Sequence, residues 1–126
     1  MNIPENLYYT KEHEWASVSG DIVTVGITDY AQGELGDIVF VELPKIGIET
    51  TVAQPFGVIE AVKTVSDLYA PVSGKVVDVN NTLINKPDLI NKDPYGEGWI
   101  IKIQVENKEE FNNLLDASGY NKLIEN

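Results

Sequence analysis

The chain has 126 residues, 43% hydrophobic and 23% charged, a composition that indicates a single globular domain over residues 1–126. Its net charge is −11 and its nine basic residues are all lysines, so nucleic acid and an anionic membrane surface are not expected as partners, because arginine is the usual residue for phosphate recognition. The absence of cysteine excludes disulfides and thiolate metal sites, and a single histidine excludes a multi-histidine metal centre.

The first residues do not resemble a targeting signal. Residues 1–6 contain neither a basic segment nor an apolar core, and no stretch of the chain reaches the apolar length of a membrane span. We therefore expect a cytoplasmic protein from a bacterium, although a processed organellar form fits the same observations, and we expect it to be a monomer.

Short strands and turns are predicted for the first two thirds of the chain. Residues 19–21 (Ser-Gly-Asp) form a turn signal between strands over 15–19 and 22–27. Thr28 is expected to cap a short helix over residues 29–35, which Gly36 ends. Further strands are predicted over residues 38–43, 50–53, 56–62, 65–70 and 74–79.

The last third of the chain combines turns, one strand and helical segments. Pro87 and residues 91–98 predict turns, and residues 99–105 predict an apolar strand. Asn107 begins a capping-box pattern for a helix through residue 115, and Asp116 is a candidate cap for a final helical turn. Many short strands with regular turns predict a mainly-β sandwich or barrel, with the C-terminal helix over one end.

An internal repeat draws attention to Lys63. Residues 36–52 match residues 74–90 at a constant offset of 38, and the two copies begin with GDIVFV and GKVVDV. Lys63 lies midway between the facing ends of the copies, in a predicted hairpin turn. A lysine exposed at such a pseudo-symmetry point is a candidate modification site, although an ordinary solvated turn lysine fits the same pattern.

No catalytic constellation emerges from the sequence, so an enzyme with its own active site is not expected. The chain has no glycine-rich phosphate loop and no calcium-binding spacing. Glu12 and Glu14 flank His13, and their charges are expected to favour its protonated form. Glu60 and Asp67 bracket Lys63, where they serve either as a mark for a modifying enzyme or to keep a β tip in solution.

Several motifs together resemble one known family. The sequence EAVKTVSDLYAPVSG at residues 60–74 is similar to the lipoyl-lysine motif of glycine cleavage H proteins, and YTKEHEW at 9–15 and LINKDPYGEGW at 89–99 match other signatures of that family in the expected order. The resemblance covers almost the whole chain. It implies a barrel-sandwich hybrid of the lipoyl and biotinyl type, with a short helix in the N-terminal half and a C-terminal helix.

The resemblance also implies a function without catalysis. Lys63 would carry lipoate through an amide bond made by a lipoate-attaching enzyme. The protein would move an aminomethyl group from glycine decarboxylase (P-protein) to aminomethyltransferase (T-protein), and dihydrolipoamide dehydrogenase (L-protein) would reoxidise it. Glu12, His13, Glu14 and Asp67 are the candidates for lining a cleft in which the loaded arm docks, and Glu60 and Asp67 are the candidates for recognition during lipoylation.

Other functions remain open on the sequence alone. Biotin carriers usually place the lysine between two methionines, whereas Val62 and Thr64 flank Lys63 here. Lipoyl domains of 2-oxo acid dehydrogenases usually present Asp-Lys-Ala and lack the His-Glu-Trp segment. A relay that donates octanoyl or lipoyl groups to other proteins would use the same lysine, and an unmodified β-rich adaptor would not use it.

Overall fold

Nine strands form two antiparallel sheets within residues 2–125, the part of the chain that the computed structural model describes. The strands are β1 Tyr8–Tyr9, β2 Glu14–Ser19, β3 Ile22–Ile27, β4 Ile38–Glu42, β5 Glu49–Thr50, β6 Pro55–Ala61, β7 Val65–Tyr69, β8 Gly74–Val79 and β9 Ile101–Val105. The larger sheet has the order β1-β2-β3-β9-β8-β5, and the smaller has the order β4-β6-β7. The predicted mainly-β architecture is confirmed.

Short helices fill the connections between strands. They are α1 Asp29–Leu35, α2 Thr82–Asn85, α3 Leu89–Lys92 and α4 Ala117–Glu125, together with a 3-10 helix over Lys108–Asn113. No helix within residues 2–125 combines the length and apolar character that crossing a bilayer requires.

The helix α1 begins and ends where the sequence predicts. The Thr28 hydroxyl accepts a hydrogen bond from the Ala31 backbone N–H, which satisfies one of the free donors of the first turn. Gly36 ends the helix with φ 80°, a conformation that favours glycine because it lacks a Cβ atom. These caps fix the direction in which the chain enters β4.

The packed sheets enclose one main hydrophobic core. Its fully buried members come from both sheets and from α2 and α3, and they include Val23, Val25, Ile59, Leu68, Val76, Leu83, Ile90, Ile101 and Ile103. A second cluster of Leu7, Tyr9, Trp15 and Tyr120 joins the N-terminal segment to α4. Trp15 lies over Gly26, where a Cβ atom would come within 2.6 Å of the indole ring.

The internal repeat has a structural counterpart in the two sheets. The pairing of β4 with β6 shifts register between Ile38 and Phe40, and the pairing of β8 with β9 shifts between Val76 and Asp78. These positions differ by the same 38 residues that separate the two sequence copies. Each half therefore places an equivalent β-bulge, which bends its strand at the same point.

Some predicted boundaries differ from the structure. The strand predicted over 50–53 is only Glu49–Thr50, α2 lies where no element was predicted, and α3 begins before the turn segment predicted over 91–98 and overlaps its start. The helix predicted from Asn107 is a 3-10 helix that ends at Asn113. Its expected capping box does not form, because the Glu110 carboxylate accepts bonds from the backbone N–H and the hydroxyl of Ser73 instead.

Candidate functional site

Lys63 lies in the turn of the β6–β7 hairpin. The Ala61 N–H donates to the carbonyl of Thr64 at 2.8 Å, so Val62 and Lys63 form a two-residue connection. The Val62 N–H donates to the carbonyl of Asp37 at 3.1 Å, which ties the turn to the residue before β4. The Lys63 side chain is exposed, and no partner within the described residues occupies its amine. The lysine is thus held outward on a three-stranded support.

A cleft of about 230 Å³ opens beside β7, and Ser66, three residues after Lys63 in the sequence, is one of its lining residues. It lies between β7, the loop before β2 and the helix α1, and its lining residues are Glu12, His13, Glu14, Ile27, Tyr30, Ala31, Glu34, Leu35, Ile59, Ser66, Asp67 and Leu68. The structure therefore brings together all four residues that were predicted to line an arm-docking cleft. We refer to this space as the cleft.

The loop that carries three of those residues is organised by Thr10. Its hydroxyl oxygen accepts bonds from the backbone N–H groups of Glu12 and Glu14, at 3.2 and 3.1 Å. The same hydroxyl donates to the Glu14 carboxylate at 2.6 Å. His13 has φ 72°, a left-handed conformation that is uncommon outside glycine, although histidine adopts it more often than most residues, and this reversal directs the loop into β2.

Glu14 is the one charged residue that is fully buried within residues 2–125. Its carboxylate accepts the bond from Thr10 and a longer one, 3.3 Å, from the Tyr69 backbone N–H. Burial raises the pKa of this carboxyl from 4.5 to about 8, because its two hydrogen bonds only partly replace water. Glu14 therefore holds a proton, or accepts a cation, more readily than an exposed glutamate.

His13 differs from the expectation in its preferred charge state. Its Nδ1 lies 2.9 Å from the Tyr120 hydroxyl, and its ring packs against Tyr30 at 5.0 Å between centroids. Burial lowers the pKa of His13, and the opposing effect of Glu12 and Glu34 is smaller. The charge of Glu12 does favour the protonated form, as predicted, but the net pKa shift is in the opposite direction because desolvation outweighs it.

The two acidic residues that bracket Lys63 lie in different settings. Asp67 is exposed on β7 and borders the cleft. Glu60 is exposed on β6, between the buried Ile59 and Ala61, so it points away from the core. Only Asp67 can therefore contribute to both the hairpin surface and the cleft.

Several lining residues of the cleft were not identified from the sequence. Tyr30 and Glu34 lie four residues apart on α1 and so share one helix face, a spacing that the predicted helix already contained. The apolar floor of Ile27, Ile59 and Leu68 comes from three strands in two sheets. Its assembly depends on how the sheets pack, which no local pattern specifies.

Comparison with known proteins identifies the family. The family model described as Glycine cleavage H-protein matches residues 7–126. The chain belongs to the glycine cleavage H-protein family. A glycine cleavage system H protein from Symbiobacterium thermophilum is 60% identical over 119 residues, covering 94% of this chain and 93% of that protein. One from Carboxydothermus hydrogenoformans is 54% identical, covering 98% and 95%.

A solved structure of the family supports the fold. The crystal structure of a glycine cleavage system H protein from Mycobacterium marinum is 41% identical, with a TM-score of 0.87 over 98% of this chain and 100% of that chain. The predicted barrel-sandwich hybrid of the lipoyl type, with its short helices, is confirmed.

The function of the protein follows from its membership in the glycine cleavage H-protein family. The protein is a non-catalytic lipoyl carrier of the glycine cleavage system, and lipoate is attached to it covalently through a lysine. It interacts with the P-, T- and L-proteins and with the lipoate-attaching enzyme. The biotin-carrier and unmodified-adaptor alternatives are thereby eliminated.

Proposed function

We propose that Lys63 is the residue that carries lipoate. The observation that supports this most is its position: an exposed, unpaired amine at the tip of a hairpin whose turn is bonded to the start of β4. A long arm on a rigid base raises the concentration of its end at each partner's active site. When bound, lipoate supplies the dithiolane that receives the one-carbon unit and the electrons.

The cleft is proposed as the place where the loaded arm docks. It opens beside the same β7 strand that leads away from Lys63, and its floor is apolar while its rim is acidic. Glu12, Glu14 and Asp67 contribute carboxylates, which favour a group that bears a cationic amine. The buried Glu14 changes most when such a group docks, because a nearby cation lowers its raised pKa and so favours the ionised carboxylate.

The cleft also favours a shuttle over a relay. A carrier that moves a reactive one-carbon group between enzymes benefits from a site that shields it from water, whereas a donor of intact lipoyl or octanoyl groups has no unstable cargo to shield. We further propose that residues 1–126 act as one monomeric domain in the bacterial cytoplasm, and that Glu60 and Asp67 contribute to recognition when Lys63 is modified.

Intact-mass analysis after incubation with a lipoate-attaching enzyme, lipoate and ATP tests the attachment site. We expect a single lipoyl increment that maps to Lys63, and none in Lys63→Arg. Lys75→Arg, which changes another exposed strand lysine, is the matched control and should be modified fully. An increment on Lys63→Arg, or an unmodified parent chain, would overturn the assignment.

A further inference from the structure

Large apolar side chains surround the tip of the hairpin on its solvent side. Phe40, Val62 and Val65 are 51%, 70% and 62% exposed. Phe40 on β4 pairs with Glu60 on β6, and Glu60 pairs with Val65 on β7. Phe40, Glu60 and Val65 therefore form one row across the three strands. Because directly paired residues point to the same face, the row lies on the outer face of the sheet, opposite the core.

Acidic residues accompany the apolar ones on this face. Glu60 lies at the centre of the first row, and Glu42 and Asp67 flank Val58 in the next row on the same face. Neither row contains a basic residue. Lys63 is the one basic residue of the β6–β7 hairpin, so it carries the only positive charge that the hairpin places next to this surface. Acylation removes that charge, which leaves the face apolar and negative. We call Phe40, Glu60, Val62 and Val65 the tip face.

We propose that the tip face is the docking surface for the enzyme that attaches lipoate to Lys63, and that this enzyme presents an apolar pocket edged by basic residues. The inference rests on the proposed function, because it takes Lys63 as the modified residue. Exposed aromatic and aliphatic anchors next to carboxylates are the surface to which such a partner is complementary.

The chemistry of attachment selects this partner over the others. The Lys63 Nζ attacks the carbonyl carbon of an activated lipoyl donor, an acyl-adenylate formed from lipoate and ATP. The Lys63 ammonium loses one proton before the attack, the C–N bond then forms, the bond to the adenylate oxygen breaks so that AMP leaves, and the nitrogen loses its second proton to a base or to solvent. The reacting atom is the Lys63 nitrogen itself, so the enzyme must close around the turn and contact the residues beside it.

The partners that act on the finished arm face a different requirement. They react with sulfur atoms at the far end of the lipoyl chain, so the turn can remain outside their active sites. Contact with the turn is therefore required of the attaching enzyme only, and the tip face is the exposed surface next to that turn. This difference allows the surface to be tested separately from the carrier function.

Phe40→Ser removes the largest side chain of the tip face, and Ile46→Ser is its matched control. Ile46 is 60% exposed but lies in the connection from β4 to β5, where the next residue, Gly47, donates to Val76 of the six-stranded sheet. Both substitutions replace an exposed apolar side chain, so little change in stability is expected. Thermal unfolding of both variants verifies that the fold is retained.

The measurement is kcat/KM for lipoylation by a purified lipoate-attaching enzyme with lipoate and ATP, followed by intact mass. We expect a loss of about tenfold or more for Phe40→Ser and less than twofold for Ile46→Ser. Phe40→Ser that has been driven to full lipoylation should support glycine cleavage within about twofold of the parent.

Each other outcome has a distinct meaning. Equal lipoylation of Phe40→Ser and Ile46→Ser would overturn the tip face as the docking surface while leaving Lys63 as the attachment site. An equal loss in lipoylation and in glycine cleavage by the loaded variant would overturn the assignment of this face to the attaching enzyme. Failure of the parent chain to gain a lipoyl increment on Lys63 would instead overturn the proposed function.

Discussion

The hydroxyl of Tyr120, on the C-terminal helix α4, lies 2.9 Å from Nδ1 of His13 at the edge of the cleft. The same hydroxyl lies 2.7 Å from Oγ1 of Thr28, which caps the helix α1 on the other side of the cleft. A fully buried side chain from the end of the chain thus connects both walls of the cleft. The helix α4 therefore contributes to the site although none of its residues lines it.

Replacing Tyr120 with phenylalanine should loosen this connection. The change leaves His13 without its hydrogen-bond partner and removes one from Thr28, and we expect a loss of about 1–2 kcal/mol in the free energy of unfolding. Urea denaturation measures this loss, and Tyr8→Phe, whose ring is partly exposed, should cost less than about 0.5 kcal/mol. His13 is the only histidine, so its imidazole NMR signals should shift in Tyr120→Phe. Unchanged signals would show that the hydroxyl does not position the ring.

Glu14 should make stability depend on pH. Burial raises its pKa to about 8 in the folded protein, whereas the unfolded chain releases this proton near pH 4.5. Its contribution to stability is therefore fully present below pH 4.5 and is lost as the pH rises to about 8. We expect Glu14→Gln, which stays neutral, to exceed the parent in unfolding free energy at pH 8 by on the order of 3 kcal/mol.

Urea unfolding at a series of pH values between 4.5 and 8.5 checks this expectation, with about half-unit steps across the window in which Glu14 ionises. Glu49, which is exposed on β5 and is not among the groups that shift the Glu14 pKa, is changed to Gln as the control and should keep the pH dependence of the parent. If the free energy of unfolding of Glu14→Gln and that of the parent changed in parallel with pH, the assigned pKa would be contradicted.

Replacing each of two glycines with alanine should change the stability of the protein in opposite directions. A Cβ atom at Gly74 would lie 2.1 Å from the backbone oxygen of Gln104, which cannot move without disturbing the β8–β9 pairing, so Gly74→Ala should cost about 1–3 kcal/mol. Gly33 lies inside α1 with open space around its Cβ position, so Gly33→Ala should stabilise by about 0.5–1 kcal/mol. Melting temperatures that move in the same direction for both variants would refute the packing argument.

The parts of the fold that follow from local chemistry were predictable. Thr28 and Gly36 marked the ends of α1 because capping and left-handed backbone involve only neighbouring residues. The turn at Gly20 and the two strands beside it were predicted for the same reason. Asp116 also caps α4 as expected, since its carboxylate accepts the Gly119 N–H at 2.7 Å.

The parts that depend on distant contacts were not predictable. Asn91 accepts a bond from the Ile38 N–H and donates to the carbonyl of Gly36, so it joins α3 to the start of β4, yet in the sequence it belongs to a run of turn residues. Glu110 was expected to bond its own helix and instead binds Ser73, which is 37 residues away. The burial of Glu14 likewise follows from the packing of two sheets around it.

The equivalent bulges at residues 38–40 and 76–78 bear on how such a chain can diverge. Each copy contributes part of the core, together with strands outside the copies, and Lys63 belongs to neither copy but to the segment between them. Within that segment Ile59 and Leu68 are fully buried, whereas the turn residues 62–64 are exposed. Mutations in the turn therefore act mainly on the enzymes that bind it, whereas mutations at the buried strand positions act on folding. Natural selection can thus adjust partner choice and stability in separate stretches of the same small protein.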